Sequence, residues 1–259
     1  MTNQRELRIA AVGDLHFEPK RKGQLRGLFS DVARGADVLV LCGDLTTHGH
    51  PDQMEAFVQE LDGVDIPIVG VLGNHDYEGD AEEVLCEILT ARGVQVLDGT
   101  GVVVEGIGFA GVKGFGGGFG RRTLGPFGER IYKDFVQAAL DEALKLETAL
   151  STLQTKAETL VAVLHYSPIP ETLEGEPLEI YPFLGSSRLL PPIETYGVSV
   201  VFHGHAHIGK PSAQTPSGVP VFNVAQMVLE RATGESFRIW TTAAPDRRTA
   251  GSMEGYAAT

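Results

Sequence analysis

Asp14 and His16 stand two positions apart just after a short apolar run, and His205 and His207 repeat that spacing far along the chain. Residues at i and i+2 of an extended segment share a face, so each pair can aim two donors the same way. Asp44, Asn74 and His165 each follow an apolar run of their own. These are seven oxygen or nitrogen donors at element tips, not on helix faces. Carboxylate and amide oxygens mixed with imidazoles suit a divalent first-row metal. Seven donors exceed what one such ion ordinarily takes from protein, whereas two ions sharing a carboxylate would use them all.

Donors at tips need strands to carry them. Leu7–Gly13, Asp37–Gly43 and Ile66–Gly73 are short, rich in Val, Ile or Leu and closed by glycine, which predicts buried strands. Between them Leu25, Leu28, Phe29 and Val32, and then Met54, Phe57, Val58 and Leu61, recur at helical spacing. Pro51 and Gly63 bound the second of these helices. Val84, Leu85, Ile88 and Leu89 predict a third, ending near Gly93. Asp14, Asp44 and Asn74 are 30 positions apart, about one βαβ unit. Ligands gather at the carboxyl ends of strands in open α/β sheets, so the three should converge on one crevice.

Beyond Val94 the pattern predicts strands at Val102–Glu105, Ile107–Val112, Leu160–Leu164, Ser199–Phe202, Val219–Val224 and Ser236–Thr242. Glu129–Lys156 is rich in Ala, Leu, Glu and Lys and predicts one long helix or two abutting ones, with Phe135, Ala139, Leu140 and Leu144 apolar. An unpaired stripe there could form a dimer contact. Gly114–Gly120 lacks the spacing and the Lys-Ser/Thr ending of a nucleotide phosphate loop, and is expected to be a loop carrying Arg121 and Arg122. The proline-rich stretch Tyr166–Pro192 is expected to be an ordered loop over the site, with a helical turn near Glu194 and Arg188 as an anion-facing candidate. The expected domain is 1–242, and Ala243–Thr259 is expected to be a mobile tail.

The chain has 259 residues, 42% hydrophobic and 21% charged, which describes one large soluble domain able to bury a full core. Against 34 acidic side chains there are 21 basic ones, a formal charge of -13. That argues against extended nucleic acid or a membrane surface as partner, and an anionic substrate would need a locally positive site. Two cysteines, Cys42 and Cys86, form no disulfide framework. With no signal peptide or membrane span in view, the expected location is the cytoplasm.

The blocks Gly13-Asp14-Leu15-His16, Gly43-Asp44, Gly73-Asn74-His75-Asp76, the isolated His165 and Gly204-His205-Ala206-His207 occur in that order. In this the sequence resembles the calcineurin-like metallophosphoesterases, and looks most similar to their bacterial cyclic-nucleotide-phosphodiesterase branch. The resemblance implies a four-layer α/β/β/α sandwich of two mixed β-sheets flanked by helices. It implies one cation held by Asp14, His16, Asp44 and His207, and a second by Asp44, Asn74, His165 and His205, with Asp44 bridging. His75 would serve the substrate, stabilising phosphoryl oxygens or protonating the leaving oxygen, and Asp76 or a backbone group would orient it. Manganese, iron, zinc, nickel and cobalt all suit such donors.

The activity implied is hydrolysis of a small phosphate ester, a nucleotide-type diester first, by a hydroxide shared between the cations. Two divalent ions, two carboxylates and one hydroxide leave about +1 at the site, enough to draw in a phosphate despite the acidic exterior. A phosphomonoesterase, a nuclease and a non-catalytic metal-binding scaffold are the alternatives. His203 is assigned a structural role, and His48 and His50 a place at helix entry or in solvent.

Overall fold

A computed structural model of the chain describes residues 6–244. Its first part alternates strand and helix: β1 (Glu6–Val12), α1 (Arg26–Gly35), β2 (Val38–Cys42), α2 (Pro51–Val58), β3 (Ile68–Val71), α3 (Glu82–Ala91) and β4 (Val94–Val96). Then come β5 (Thr100–Val104), β6 (Ile107–Val112), the 24-residue α4 (Arg130–Leu153) and β7 (Leu160–Leu164). The remainder is α5 (Tyr181–Leu184), α6 (Leu190–Thr195), β8 (Val200–His203), β9 (Ser212–Gln214), β10 (Pro220–Asn223), α7 (Gln226–Thr233) and β11 (Arg238–Ala243).

Two sheets result. One runs β11-β1-β2-β3-β4, parallel except for β11; the other runs β5-β6-β7-β8-β10-β9, parallel except for its two edge strands. Alternation along each strand fixes the layers. Ile9 and Ala11 of β1 face inward with Val38 and Val40 of β2, against Phe109, Val161, Val163 and Phe202 of the second sheet. Ala10 and Val12 face outward with Leu39 and Leu41, and are covered by Phe29 and Val32 of α1, Met54 and Phe57 of α2, and Leu85 and Leu89 of α3. On the far side, Leu146, Leu150 and Leu153 of α4 cover Ala110, Ala162 and Val201. Burying one such Leu or Phe side chain contributes about 1.5–3 kcal/mol, so the central strands β1, β2, β3, β6, β7 and β8 are held from both faces. This is the four-layer sandwich of two mixed sheets flanked by helices.

Local sequence explains the boundaries. Pro51 opens α2 after His50, where a missing N–H costs nothing. Glu60, fully buried, accepts from the amides of Gly23 and Leu25 and so ties the entry of α1 to the end of α2. Three elements differ from expectation. β4, β9 and α7 were not predicted, because β4 and β9 have three residues each and α7 buries only Val228 and Leu229. In α4 the buried positions are Val136, Ala139, Glu142, Leu146, Ala149, Leu150 and Leu153, while Leu144 is 61% exposed. The expected loop after Tyr166 is ordered as short helical turns leading into α5 and α6. Ala243 ends β11, and the rest of the expected tail beyond Ala244 lies outside the described residues. Among the described residues no helix is long and apolar enough to cross a membrane.

Candidate metal centre

The carboxyl ends of β1, β2 and β3 in one sheet and of β7 and β8 in the other meet at a single edge. Backbone bonds close it: Asp14 N donates to Gly43 O, Gly13 N to Val224 O and Gly204 N to His165 O. Two donor clusters form there. Asp14, His16, Asp44 and His207 place one ligand atom each within 4.8 Å of one another, and so do Asp44, His165 and His205. Asn74 joins the second, its Oδ1 lying 2.9 Å from His165 Nε2. All seven residues singled out in the sequence therefore come together, and the two clusters share Asp44.

The backbone bends sharply to do this. Asp14, His16, Asp44 and His205 all have φ between 43° and 69°, the left-handed region that non-glycine residues seldom occupy. Such conformations cost about 1–3 kcal/mol each and persist only where the surroundings enforce them. Here the chain bends just past the ends of β1, β2 and β8, where these four candidate ligands sit.

The two oxygens of Asp44 look in different directions. Oδ1 accepts from the amide of His75 at 2.8 Å and lies 3.4 Å from His165 Nε2. Oδ2 lies 3.9 Å from His16 Nε2 and, among the described residues, is buried with no hydrogen-bond partner. A buried carboxylate oxygen left without a donor costs heavily unless something positive meets it. A cation between His16, His207 and Asp14 would do so, and the mixture of two carboxylates, one amide and four imidazoles has the donor chemistry for a pair of divalent ions.

Outer contacts fix the rings. His165 Nδ1 lies 2.8 Å from the Cys42 carbonyl. A carbonyl only accepts, so the proton sits on Nδ1 and Nε2 faces the cluster. His205 is held by the Phe183 carbonyl, 3.1 Å from its Nε2, and by its own amide donating to Asp14. His207 Nε2 contacts Asp14 Oδ1 at 2.8 Å. Burial works against a proton on His165, yet the charge and hydrogen bond of Asp44, with the charge of Asp14, raise its pKa to about 9. Burial tends to lift Asp44, but the charge and hydrogen bond of His165 pull it well below the usual carboxylate range. Burial first, and then the charge of His165, hold His205 down to about 3.

His75 lies on the rim, its ring edge-on to His16 with centroids 4.7 Å apart. Its Nδ1 lies 2.7 Å from the Thr47 carbonyl, so a backbone group, not Asp76, orients it. Asp76 is wholly buried behind the edge, where Oδ1 accepts from the amide and hydroxyl of Thr46 and Oδ2 from the amides of Gly73 and Leu45. It clamps the loop after β2 to the loop after β3. His203 is buried between Gly204 O and the Thr172 hydroxyl, a structural placement. His50 precedes α2 and His48 faces Glu78 on the surface. Arg121 and Arg122 are exposed. Arg188 donates to the Leu124 carbonyl, just past the glycine-rich segment. Cys42, Thr47 and Phe183 act through main-chain carbonyls, which leave no mark in a sequence. Thr46 and Tyr166, whose ring lies 4.3 Å from His205, stand beside motif residues and were within reach of a closer reading.

Two mixed sheets packed face to face, with paired Asp and His clusters at one strand edge, define the class as an α/β/β/α sandwich with a candidate two-cation site. The model of the calcineurin-like phosphoesterase family matches residues 7–209, and the chain belongs to that family. No curated protein matches the sequence at a significant level. Among solved structures the chain resembles the phosphopantetheinyl hydrolase of Mycobacterium tuberculosis, with 16% identity, TM-score 0.59 and coverage of 93% of this chain and 96% of that one. It resembles GAP50, the anchor in the inner membrane complex of Plasmodium, with 13% identity, TM-score 0.59 and coverage of 92% and 81%. It also resembles TT1561 of Thermus thermophilus, with 17% identity, TM-score 0.54 and coverage of 93% and 100%. These likenesses establish a shared fold.

Proposed function

We propose that the protein hydrolyses a small phosphate ester, a nucleotide-type diester in the first instance, with two divalent transition-metal cations as cofactors. Asp14, His16, Asp44 and His207 would hold one cation, and Asp44, Asn74, His165 and His205 the other. The observation that carries this reading is the division of Asp44, one oxygen facing each cluster and Oδ2 buried without a donor. When bound, such a pair lowers the pKa of water, polarises a phosphoryl oxygen and offsets charge in an in-line displacement.

The chain's own residues supply the rest. The Cys42 carbonyl keeps the proton of His165 on Nδ1, and Asp76 holds the loops bearing Asp44 and Asn74 in register. With Nδ1 of His75 committed to the Thr47 carbonyl, Nε2 is the nitrogen left for substrate. Neutral, it accepts; carrying a second proton, it donates to a phosphoryl or leaving oxygen. The diester preference rests on the resemblance of the GDLH, GDLT, GNHD and GHAH blocks to the cyclic-nucleotide branch. The named neighbours include a hydrolase and an anchor, so fold alone does not choose the substrate.

The test is hydrolysis of a chromogenic diester and monoester by the manganese-loaded protein, with bound metal measured alongside. Turnover of the diester ahead of the monoester is expected. Two bound cations with no turnover of either would favour a scaffold.

A further inference from the structure

The main chain of Phe183 is built into the edge that carries the donors, while its ring is left outside. Its carbonyl meets His205 Nε2, and its side chain is 61% exposed. From that ring a series of aromatic contacts leads back to the same histidine. Phe183 stands edge-on to Phe135 at 6.3 Å between centroids, Phe135 tilts on Phe115 at 4.9 Å, Phe115 lies 6.0 Å from Tyr166, and Tyr166 lies 4.3 Å from His205. Behind this wall the Lys113 ammonium sits 5.1 Å over Phe115 and 5.3 Å over Tyr166, a cation–π arrangement that holds both rings.

The backbone around Phe183 is braced. Gly117 N donates to Pro182 O at 2.7 Å, Gly118 N to Gly185 O at 3.0 Å and Ser186 N to Ser167 O at 3.0 Å. At Gly116 a Cβ would crowd the Pro182 carbonyl and the Phe135 ring, so the two segments touch directly. An aromatic ring exposed on a pinned backbone is a preformed surface, and a partner packing on it gives up little conformational freedom of the protein.

The rim beside His16 has different chemistry. There Glu78 Oε2 lies 3.2 Å from His48 Nδ1 and 3.6 Å from His75 Nδ1, beside His16. An ester seated over both clusters thus has a polar, imidazole-rich wall on one hand and an aromatic wall on the other. Flat π systems pack on aromatic rings with a directional preference that aliphatic groups lack.

The geometry points to Phe183 as a specificity residue that selects an ester whose retained, non-leaving substituent is a flat aromatic group, which packs on its ring beside His205. The inference deepens the phosphoesterase reading above and rests on it.

Two diesters with one leaving group, phenyl p-nitrophenyl phosphate and methyl p-nitrophenyl phosphate, test it on the manganese-loaded full chain. The ratio of their kcat/KM values is expected to favour phenyl by about tenfold, to fall close to one in Phe183→Ala, and to be kept in Phe183→Tyr. Phe183→Ala retains the main-chain carbonyl, and bound-metal analysis accompanies each variant. An unchanged ratio in Phe183→Ala overturns the assignment, as does a Phe183→Ala protein that has lost its cations, since the residue then only holds the site together. If the unaltered protein cleaves neither ester, the diesterase reading fails instead. Relative affinity for phenylphosphonate and methylphosphonate then decides the aromatic platform separately: a preference for phenyl lost in Phe183→Ala supports it, and equal affinities refute it.

Discussion

Gly73 leaves room for the carboxylate of Asp44: a Cβ built on this glycine would overlap Oδ1 and the Asp44 amide. The same holds between Gly204 and Asp14, where a Cβ would overlap Oδ2. The glycines of these motifs are thus gaps into which ligands fit, from the neighbouring strand at Gly73 and from the other sheet at Gly204. Gly73→Ala should force Asp44 from its place, cost about 2 kcal/mol or more of stability and empty the shared position. Thermal unfolding and metal content of the purified variant check this; an alanine variant with full metal and unchanged Tm would refute it.

Asp44→Ala should remove both cations and with them activity, because both clusters draw on this one side chain. Elemental analysis after extensive dialysis is the measurement. Retention of one tightly held ion would mean that the second cluster binds without sharing.

His75→Ala should keep both cations and slow turnover by about a hundredfold to ten-thousandfold. The ring touches the rim, and its backbone amide, which contacts Asp44, is untouched by the change. Loss of metal in this variant would reassign His75 to the site's framework.

Asp76→Asn should destabilise the fold by about 1–3 kcal/mol and weaken metal retention. Both carboxylate oxygens accept only from donors, so an amide nitrogen must face an N–H or O–H on one side. Chemical denaturation with and without manganese separates the two effects. A variant as stable as the parent would show that the clamp is dispensable.

Metal loading should depend on pH through His165. Its pKa in the metal-free fold is raised to about 9, so at neutral pH a cation must displace a proton from the ring. Apparent affinity therefore rises with pH, by up to about tenfold per unit, and levels off near pH 9. The sign for stability is the reverse: protonated His165 stabilises the metal-free fold fully below its unfolded pKa of about 6.5, and that contribution is lost as pH rises through about 9. Calorimetric titration with manganese in buffers of different ionisation enthalpy should show about one proton released per His165 loaded at pH 7; no release would contradict the assignment.

The strand tips were legible because the chain repeats its βαβ unit every 30 residues, which places Asp14, Asp44 and Asn74 at equivalent ends. His165 and His205 stood out by their spacing and by the apolar runs before them, but their grouping with Asp44 came only through motif resemblance, since what brings them to Asp44 is sheet-against-sheet packing between segments more than 100 residues apart. The choice between Asp76 and a backbone group as the partner of His75 was open in the sequence, because the donors that occupy Asp76 are mostly main-chain amides, those of Thr46, Leu45 and Gly73, beside the Thr46 hydroxyl. The buried face of α4 was not legible for a similar reason: apolar residues occur on several sides of its first half, and only tertiary contact shows that Ala139 is buried while Leu144 faces outward.

The left-handed turns at Asp14, His16, Asp44 and His205 carry a lesson for protein engineering. Grafting the seven side chains onto another parallel sheet would transfer the donors but not the bends that aim them. A successful transplant must carry each strand end with its following loop, including the glycines alongside, as one inherited piece of backbone.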